Sequence, residues 1–199
     1  MKSRTMIHAV VLGTFCLGFG IVLAGTDLLT NDEIKLRAVE DLQASLVQVI
    51  PPVIHDNNPA KDVITVKDEA GKDVTVYRAT RGGKVTGIAY EIIGNGYAGE
   101  IHLILGVDAE GKILGVRATE HHETPGLGDK INPAKTDWIL RFTGLSLGAP
   151  PVEKWKVKKD GGQFDQFSGA TITPRGVVGA VRGGLQFFAA HKAQLLEIN

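Results

Sequence analysis

The sequence contains a single cysteine among its 199 residues. One thiol cannot form an intramolecular disulfide, and it cannot supply the ligands of a four-thiolate zinc site or an iron–sulfur cluster. Neither sign of charge is in excess, because 22 basic side chains balance 22 acidic ones. This balance argues against nucleic-acid binding, which requires a basic face. The sequence also lacks nicotinamide-binding and haem-attachment motifs.

The longest uncharged run lies near the amino terminus, at residues 6–24. As a helix, this run would span roughly 28 Å, close to the hydrocarbon thickness of a bilayer at about 30 Å. Lys2 and Arg4 precede the run, and the first acidic residue, Asp27, follows it. This asymmetry predicts a cytoplasmic amino terminus, with the rest of the chain on the other side of the membrane.

We therefore predict a single-pass protein of the inner (cytoplasmic) membrane, with an anchor at residues 1–25 and a periplasmic domain at residues 26–199. That domain has 20 basic and 22 acidic residues, hence a net charge of −2. A cleaved signal peptide is the alternative, because Val22-Leu23-Ala24 ends in a small residue that signal peptidases accept. Signal-peptide cores are usually shorter than this run, which favours the retained anchor.

Beyond the anchor, the apolar pattern first has the period of a helix. Thr30-Asn31-Asp32-Glu33 has the spacing of a capping box and predicts a helix start. Pro51-Pro52 predicts its end, near Ile50. The apolar residues between these signals recur every three or four positions, which predicts an amphipathic helix: Leu36, Val39, Leu42, Leu46 and Val49.

The middle of the chain has the pattern of a sheet. Four or five strand-like runs are separated by turn signals, and the candidates are residues 63–66, 74–77, 85–93, 101–107 and 113–119. No connection between them is long enough for a crossover helix, so we predict an antiparallel meander.

The remainder alternates loops and short elements. A glycine- and proline-rich loop is predicted at residues 121–133. A short helix from about Asn132-Pro133 should then carry Trp138, Ile139 and Phe142 inward, followed by a strand at residues 155–157. A last helix, with Thr173 as its cap and Pro174 in its first turn, should extend to about Leu196. The predicted fold class is α+β: one transmembrane helix, then an antiparallel sheet with flanking helices.

The most informative motif precedes this last helix. It reads Asp165-Gln166-Phe167-Ser168-Gly169-Ala170-Thr171. A helix amino terminus offers unpaired N–H groups and positive potential to a phosphate, and Gly169 and Ala170 leave room for a bulky ligand near the backbone. The alternative is an ordinary capping turn, for which serine and threonine are the expected residues. Spacing alone leaves Ser168, Thr171 and Thr173 open as phosphate acceptors.

This motif resembles the signature at which a flavin transferase attaches flavin mononucleotide (FMN) to threonine through a phosphoester bond. Two upstream motifs and the continuation of the signature resemble the same family: Gly94-Asn95-Gly96-Tyr97-Ala98-Gly99, Glu123-Thr124-Pro125-Gly126-Leu127-Gly128, and Ile172-Thr173-Pro174-Arg175-Gly176-Val177. With the single anchor and short length, the chain is similar to the G subunits of Rnf electron-transport complexes. The C subunits of sodium-pumping NADH:quinone reductases are more distant relatives.

The resemblance implies a set of cofactor-binding residues. It implies one covalent FMN per chain on Thr171, surrounded by Ser168, Gly169, Ala170 and Thr173. Asp165 is expected to serve recognition by the transferase, and the alternative is a solvated turn aspartate. It also implies that the second motif contacts the isoalloxazine ring, with these candidates: Glu123, Thr124, Gly126, Leu127 and Gly128. Tyr97 is a candidate to cover the flavin, and its alternative role is packing, which is common for an aromatic after a glycine turn. The alternative is that residues 123–128 form a plain surface turn.

The implied function is an electron-carrying subunit that couples ferredoxin- or NADH-type electron transport to ion translocation. The implied partners are other membrane subunits and the flavin transferase. We predict no catalytic residue and no turnover by the chain alone. Adjacent His121 and His122 point to opposite faces of a strand, so we predict no metal site.

Two other functions are weighed against this one. The first is a periplasmic binding or assembly module without flavin. The second is a hydrolase using Ser168, which lacks the Gly-x-Ser-x-Gly spacing of a nucleophile elbow.

Overall fold

The structure is a computed structural model that describes residues 2–198, without the side chains of residues 2–5, 32, 35, 36, 38 and 39. The chain divides into two compact units, Met1–Leu42 and Gln43–Asn199. The domain boundary expected after residue 25 stays a prediction.

Helix α1 extends without interruption over Lys2–Val49. Its segment Met6–Asn31 is long and apolar enough to cross a membrane, and none of it is buried. The prediction of a separate helix beginning at Thr30 is wrong. The Thr30 hydroxyl instead donates to the carbonyl oxygen of Thr26 at 2.8 Å, one turn earlier in the same helix.

The end of α1 belongs to the second unit and supplies part of its core. Leu46, Val49 and Ile50 are buried there, and the helix ends before Pro51 as predicted. Leu36 and Val39, which were predicted on the same apolar face, lie outside the described side chains.

Five antiparallel strands form one sheet in chain order, which confirms the predicted meander. Aspartates help to form two of its turns: Asp68 and Asp108 each accept backbone N–H bonds from residues two and four positions later. Such side-chain acceptors favour a turn over continued strand. The strands are β1 (Val63–Lys67), β2 (Asp73–Arg81), β3 (Lys84–Asn95), β4 (Glu100–Asp108) and β5 (Ile113–His121).

Helices cover both faces of the sheet. Helix α2 (Ile172–Leu196) packs on one face, where Gly184 faces Leu105 and Ile92. On the other face, Gly106 and Gly115 are partners across β4 and β5, and the backbone of Val49 lies against both. These glycines let the last turn of α1 approach the strands more closely than a Cβ would permit.

The segment between β5 and α2 differs in detail from the prediction. The short helix begins at Trp138 rather than near Asn132, and it is a 3₁₀ turn over Trp138–Phe142 that buries the expected side chains. Residues 155–157 are not a strand. They separate two 3₁₀ turns, and Val157 makes only an isolated bridge to Phe164.

Packing of aromatic side chains explains this irregular backbone. The rings of Phe142 and Phe164 are stacked with centroids 4.8 Å apart, and Trp155 lies 5.1 Å from Phe164. Burial of these rings stabilises the segment without a regular hydrogen-bond ladder. Trp138 and Trp155 are buried, as predicted for core residues.

Candidate functional site

The three sequence motifs meet at one end of the sheet. Glu123 follows the end of β5, and its carboxylate accepts the backbone N–H of Ala98, in the turn between β3 and β4, at 2.9 Å. Its other oxygen accepts the hydroxyl of Thr173, in the first turn of α2. Glu123 is 6% exposed and Thr173 is fully buried. One carboxylate therefore connects residues from all three motifs.

The backbones of two motifs also touch directly. A Cβ at Gly94 would lie 2.8 Å from the carbonyl oxygen of Gly176, and a Cβ at Gly176 would overlap the carbonyl group of Asn95. Helix α2 therefore crosses the end of β3 at van der Waals distance near Gly176. Only glycine at these positions permits that approach.

A tight turn presents Thr171 at the start of α2. The N–H of Ala170 donates to the carbonyl oxygen of Phe167 at 3.2 Å, and Gly169 adopts a positive φ of 79°. Thr171 is half-buried at the N-cap position, and its side chain makes no capping hydrogen bond. The hydroxyl is therefore not committed to the helix, although it stands at the positive end of the helix dipole.

Thr173 was predicted to cap α2, and this is wrong. The helix begins at Ile172, so that Thr173 lies inside its first turn, where the hydroxyl donates to Glu123 instead of to a backbone acceptor. The side chain is oriented by a buried carboxylate 50 residues earlier.

The upstream end of the turn is anchored by aromatic packing. Phe167 is buried with its ring 5.1 Å from that of Trp138, and the indole N–H of Trp138 donates to the carbonyl oxygen of Asp165 at 2.8 Å. Thr171 is thus held from one side by the aromatic cluster and from the other by α2. Sequence reasoning assigned Trp138 to the core and did not connect it with the site.

The loop over residues 123–128 lies against this turn. A Cβ at Gly169 would be 3.5 Å from Cδ2 of Leu127. Within the loop, the N–H groups of Leu127 and Gly128 both donate to the carbonyl oxygen of Thr124, at 3.1 and 3.2 Å. Gly126 has a positive φ of 78°. Residues 123–128 therefore form an ordered turn beside the turn that presents Thr171. Thr124 and Gly126 are exposed on its surface.

Three large apolar side chains remain exposed among these motifs. Leu127 is 41% exposed, Ile172 is 45% exposed and Tyr97, in the turn after β3, is 73% exposed. Where such side chains adjoin, they form the contiguous apolar surface that is typical of a ligand-binding site.

Asp165 is paired with cations. Its carboxylate lies 2.6 Å from Nζ of Lys158 and 3.2 Å from a guanidinium nitrogen of Arg141. The hydrogen bond from Lys158, with the charges of Lys158 and Arg141, holds the pKa of Asp165 below its ordinary value. The carboxylate is therefore ionised at neutral pH.

A second ion pair, between Asp160 and Arg175, lies beside the first turn of α2. Asp160 accepts two hydrogen bonds from Arg175, both at 2.6 Å, and these lower the pKa of Asp160. Sequence reasoning missed both groups of cations, because their partners are brought together only by the fold.

One further residue of the loop escaped prediction. Asp129 directly follows Gly128 and is 9% exposed, and its Oδ1 atom has no hydrogen-bond partner among the described residues. A buried, unpaired carboxylate oxygen is uncommon in folded proteins. Its position immediately after the predicted motif was the only sequence signal.

Comparison with known proteins identifies the domain. Residues 96–186 match the family described as "FMN-binding domain". This range includes the turn after β3, the loop after β5 and the turn that presents Thr171. The fold and the site thus define an FMN-binding domain, preceded by an apolar helix.

Full-length relatives narrow the assignment. The chain is 50% identical over 195 residues to the G subunit of the ion-translocating oxidoreductase complex of Cereibacter sphaeroides strain ATCC 17029, covering 98% of this chain and 89% of the relative. It is 48% identical to the Vibrio vulnificus protein of the same name over 200 residues, covering 98% and 95%. The chain therefore belongs to the family of ion-translocating oxidoreductase complex G subunits, and the resemblance based on the three motifs is confirmed.

Solved structures agree on the fold. The crystal structure of Shewanella oneidensis NqrC is 25% identical, with a TM-score of 0.50 over 76% of this chain and 73% of the other. The C subunit of the Na(+)-translocating NADH-quinone reductase of Parabacteroides distasonis is 20% identical, with a TM-score of 0.57 over 85% and 98%. The predicted α+β fold with an antiparallel sheet is thereby confirmed.

The residues present fit FMN. Thr171 offers a hydroxyl without a capping bond at a helix amino terminus, which suits a phosphate. Leu127 and Tyr97 offer exposed apolar surface, which suits a flat ring. Glycines at 126 and 169 keep the nearby backbone open, since a Cβ at Gly126 would meet nothing within 4 Å.

Replacing Gly126 by leucine tests whether this loop faces the ring. We expect Gly126→Leu to shift the flavin absorbance spectrum or midpoint potential, because the new side chain would occupy the open space beside the loop. Gly71→Leu is the matched control: Gly71 also has a φ of 78° and open surroundings, but lies in the turn between β1 and β2. Both variants should lose about 1 kcal/mol of stability through backbone strain.

The measurement compares the oxidised spectrum, the midpoint potential and the urea midpoint of the two flavin-loaded variants. Equal spectra and potentials in Gly126→Leu, Gly71→Leu and the unaltered chain would make residues 123–128 a plain surface turn.

Proposed function

We propose that the chain carries one FMN covalently, through a phosphoester bond to Thr171, and relays electrons on the periplasmic side of the membrane. The proposal is carried chiefly by the Thr171 hydroxyl, which stands at the amino terminus of a 25-residue helix without a capping hydrogen bond. When bound, FMN supplies the redox chemistry. The protein supplies attachment, orientation and the surrounding electrostatics.

The helix stabilises the product of attachment. A phosphodiester keeps one negative charge, and a helix amino terminus stabilises such a charge by about 0.3–1 kcal/mol at an exposed site. Thr173 is unsuited as acceptor because its hydroxyl is fully buried and donates to Glu123. Ser168 is exposed but lies outside the helix. Thr171 therefore combines access with the favourable electrostatic position.

The name of the relatives supports the assignment of this chain to a complex with other membrane subunits. They are called subunits of an ion-translocating oxidoreductase complex. We assign this chain to such a complex, in which other membrane subunits deliver and remove electrons, and we assign its maturation to a flavin transferase. Asp165, ionised beside Lys158 and Arg141, belongs to the surface that the transferase would contact.

Co-expression tests the function. The full chain, produced with and without a flavin transferase, should gain the mass of one phosphoryl-linked FMN only with the enzyme present. Its visible spectrum should then show an oxidised flavin that is reversibly bleached by reduction. A chain that stays colourless and unmodified beside an active transferase would instead be a binding or assembly module.

The membrane topology can be tested separately. We expect the mature chain to retain residues 6–24 and to remain in the membrane fraction after a carbonate wash, because the apolar helix is long enough to span the bilayer. Carboxyl-terminal reporter fusions should be active only with a reporter that functions outside the cytoplasm. An amino-terminal sequence beginning near Gly25 would show that the helix is a cleaved signal peptide.

A further inference from the structure

We propose that Glu123 is a positioning residue, which acts through Thr173 to set where the Thr171 hydroxyl stands for flavin attachment. This inference rests on the proposed attachment to Thr171. It assigns Glu123 a role other than direct contact with the flavin ring.

The surroundings of Glu123 show that its carboxylate is built into the fold. Gly96 and Gly128 flank it so closely that a Cβ at either glycine would overlap a carboxylate oxygen. Its own N–H donates to Nδ1 of His121 at 3.3 Å. The side chain is thus enclosed by two glycines and restrained at its backbone.

Both carboxylate oxygens are engaged by neutral donors. One accepts the N–H of Ala98 and the other accepts the hydroxyl of Thr173. No ion pair to Glu123 occurs in the part of the chain that the structure describes. Breaking either bond would leave a buried carboxylate oxygen without a partner, so this arrangement restrains Ala98 and Thr173. No hydrogen bond joins Glu123 to Thr171 among the described residues, so Glu123 acts on Thr171 through its partners.

The position of Thr173 transmits the restraint. Thr173 lies two residues after Thr171 and in the same helical turn, so fixing one limits the movement of the other. In this turn, the described side-chain hydrogen bonds are Thr173–Glu123, which is buried, and Arg175–Asp160, which is exposed. The buried bond is therefore the side-chain hydrogen bond that joins the start of α2 to the end of the sheet, beside the backbone contact of Gly176 with Gly94 and Asn95.

The same residue reaches Thr171 by a second route. Glu123 begins the loop whose Leu127 side chain lies against Gly169, two residues before Thr171. A shift of Glu123 would move both the helix start and this loop. Displacement of a reacting group by about 1 Å lowers a rate on the order of 100-fold.

Attachment of the flavin requires a specific position of the Thr171 hydroxyl. The Thr171 Oγ–P bond forms while the phosphoanhydride bond of a flavin dinucleotide donor breaks. The electron pair of the broken bond leaves with the nucleoside monophosphate, and the hydroxyl proton is released to solvent. The oxygen must therefore stand in line with the breaking bond. Positioning errors should appear in the rate of transfer rather than in the binding of the protein substrate.

The test uses the purified full chain in detergent, the flavin transferase and flavin adenine dinucleotide. Initial rates of covalent incorporation are measured against chain concentration. Thr173→Val removes the hydroxyl while keeping the shape, Thr173→Ser keeps the hydroxyl, and Glu123→Gln replaces the carboxyl group by an amide of the same shape. Glu120→Gln, an exposed position on β5, makes the same chemical change as a control.

We expect Thr173→Val to lower kcat by on the order of 10- to 100-fold with little change in KM. Thr173→Ser should recover most of the rate, Glu123→Gln should be intermediate, and Glu120→Gln should match the unaltered chain. Hydrogen exchange of the Ala98 amide should accelerate in Glu123→Gln, because its acceptor is weakened. Exchange should be unchanged in Thr171→Ala, which leaves the Glu123 contacts in place.

The outcomes separate the inference from the proposed function. Flavin attached to Thr171→Ala would contradict the attachment site itself. Loss of flavin in Thr171→Ala, with unaltered kcat in Thr173→Val and Glu123→Gln, would overturn only the positioning role. A rate loss that merely follows the folded fraction, read from urea unfolding, would also overturn it.

Discussion

Replacing Thr171 by alanine should abolish covalent flavin and leave the domain folded. The reason for the first effect is chemical, since the variant lacks the acceptor oxygen. The reason for the second is that the Thr171 side chain makes no capping hydrogen bond and is only half-buried. We expect the free energy of unfolding to change by about 0.5 kcal/mol or less. In-gel fluorescence of denatured protein reports the attachment, and urea unfolding reports the fold.

Two companion variants sharpen this result. Thr171→Ser retains a hydroxyl at the same position and should retain covalent flavin. Thr143→Ala removes an exposed threonine that follows the 3₁₀ turn Trp138–Phe142 and should leave the fluorescent band unchanged. A band that survives in Thr171→Ala but disappears in Thr173→Ala would move the acceptor to Thr173.

The largest effect on stability is expected from Gly176→Ala. A Cβ at Gly176 would overlap the carbonyl group of Asn95, and neither backbone can move without separating α2 from β3. Overpacking of this kind costs about 1–3 kcal/mol, or more where backbone is involved. We expect a loss near the upper end, about 3 kcal/mol. Flavin attachment should also fall, because Thr171 is the N-cap of the same helix.

Gly179→Ala, three residues later in α2, is the matched control. A Cβ there meets nothing within 4 Å, so only the helix propensity changes. This substitution should stabilise the chain by about 0.5–1 kcal/mol. The two changes in the free energy of unfolding should have opposite signs. The urea midpoints report them, provided that the dependence of the free energy of unfolding on urea concentration is the same in both variants. Equal midpoints for the two variants would contradict the close approach at Gly176.

The meander was predictable because its signals are local. Alternating apolar residues define each strand, and Asp68 and Asp108 form turns with amides only two to four residues away. By contrast, the capping-box pattern at Thr30 was misleading. A threonine within a helix can donate to the carbonyl oxygen one turn earlier, as Thr30 does to Thr26. The residues around a threonine do not show whether it makes this bond or caps a new helix.

The residues of the site also divide into those that local motifs predicted and those that only the fold brings together. The positions of Thr171 and residues 123–128 were available from motifs that resemble a known family. The burial of Glu123 against Thr173 joins residues 50 positions apart, so no local pattern contains it. The same holds for Trp138, whose packing on Phe167 anchors the turn through contacts across 29 positions.

Tandem mass spectrometry of a tryptic peptide tests most directly whether Thr171 carries the flavin. Cleavage after Lys159 and Arg175 releases residues 160–175, which contain the hydroxyls of Ser168, Thr171 and Thr173. We predict one phosphoryl-linked FMN in this peptide, with fragment ions that place it on Thr171. Fragment ions that place the FMN on Ser168 or Thr173, or an unmodified peptide from yellow protein, would contradict attachment to Thr171.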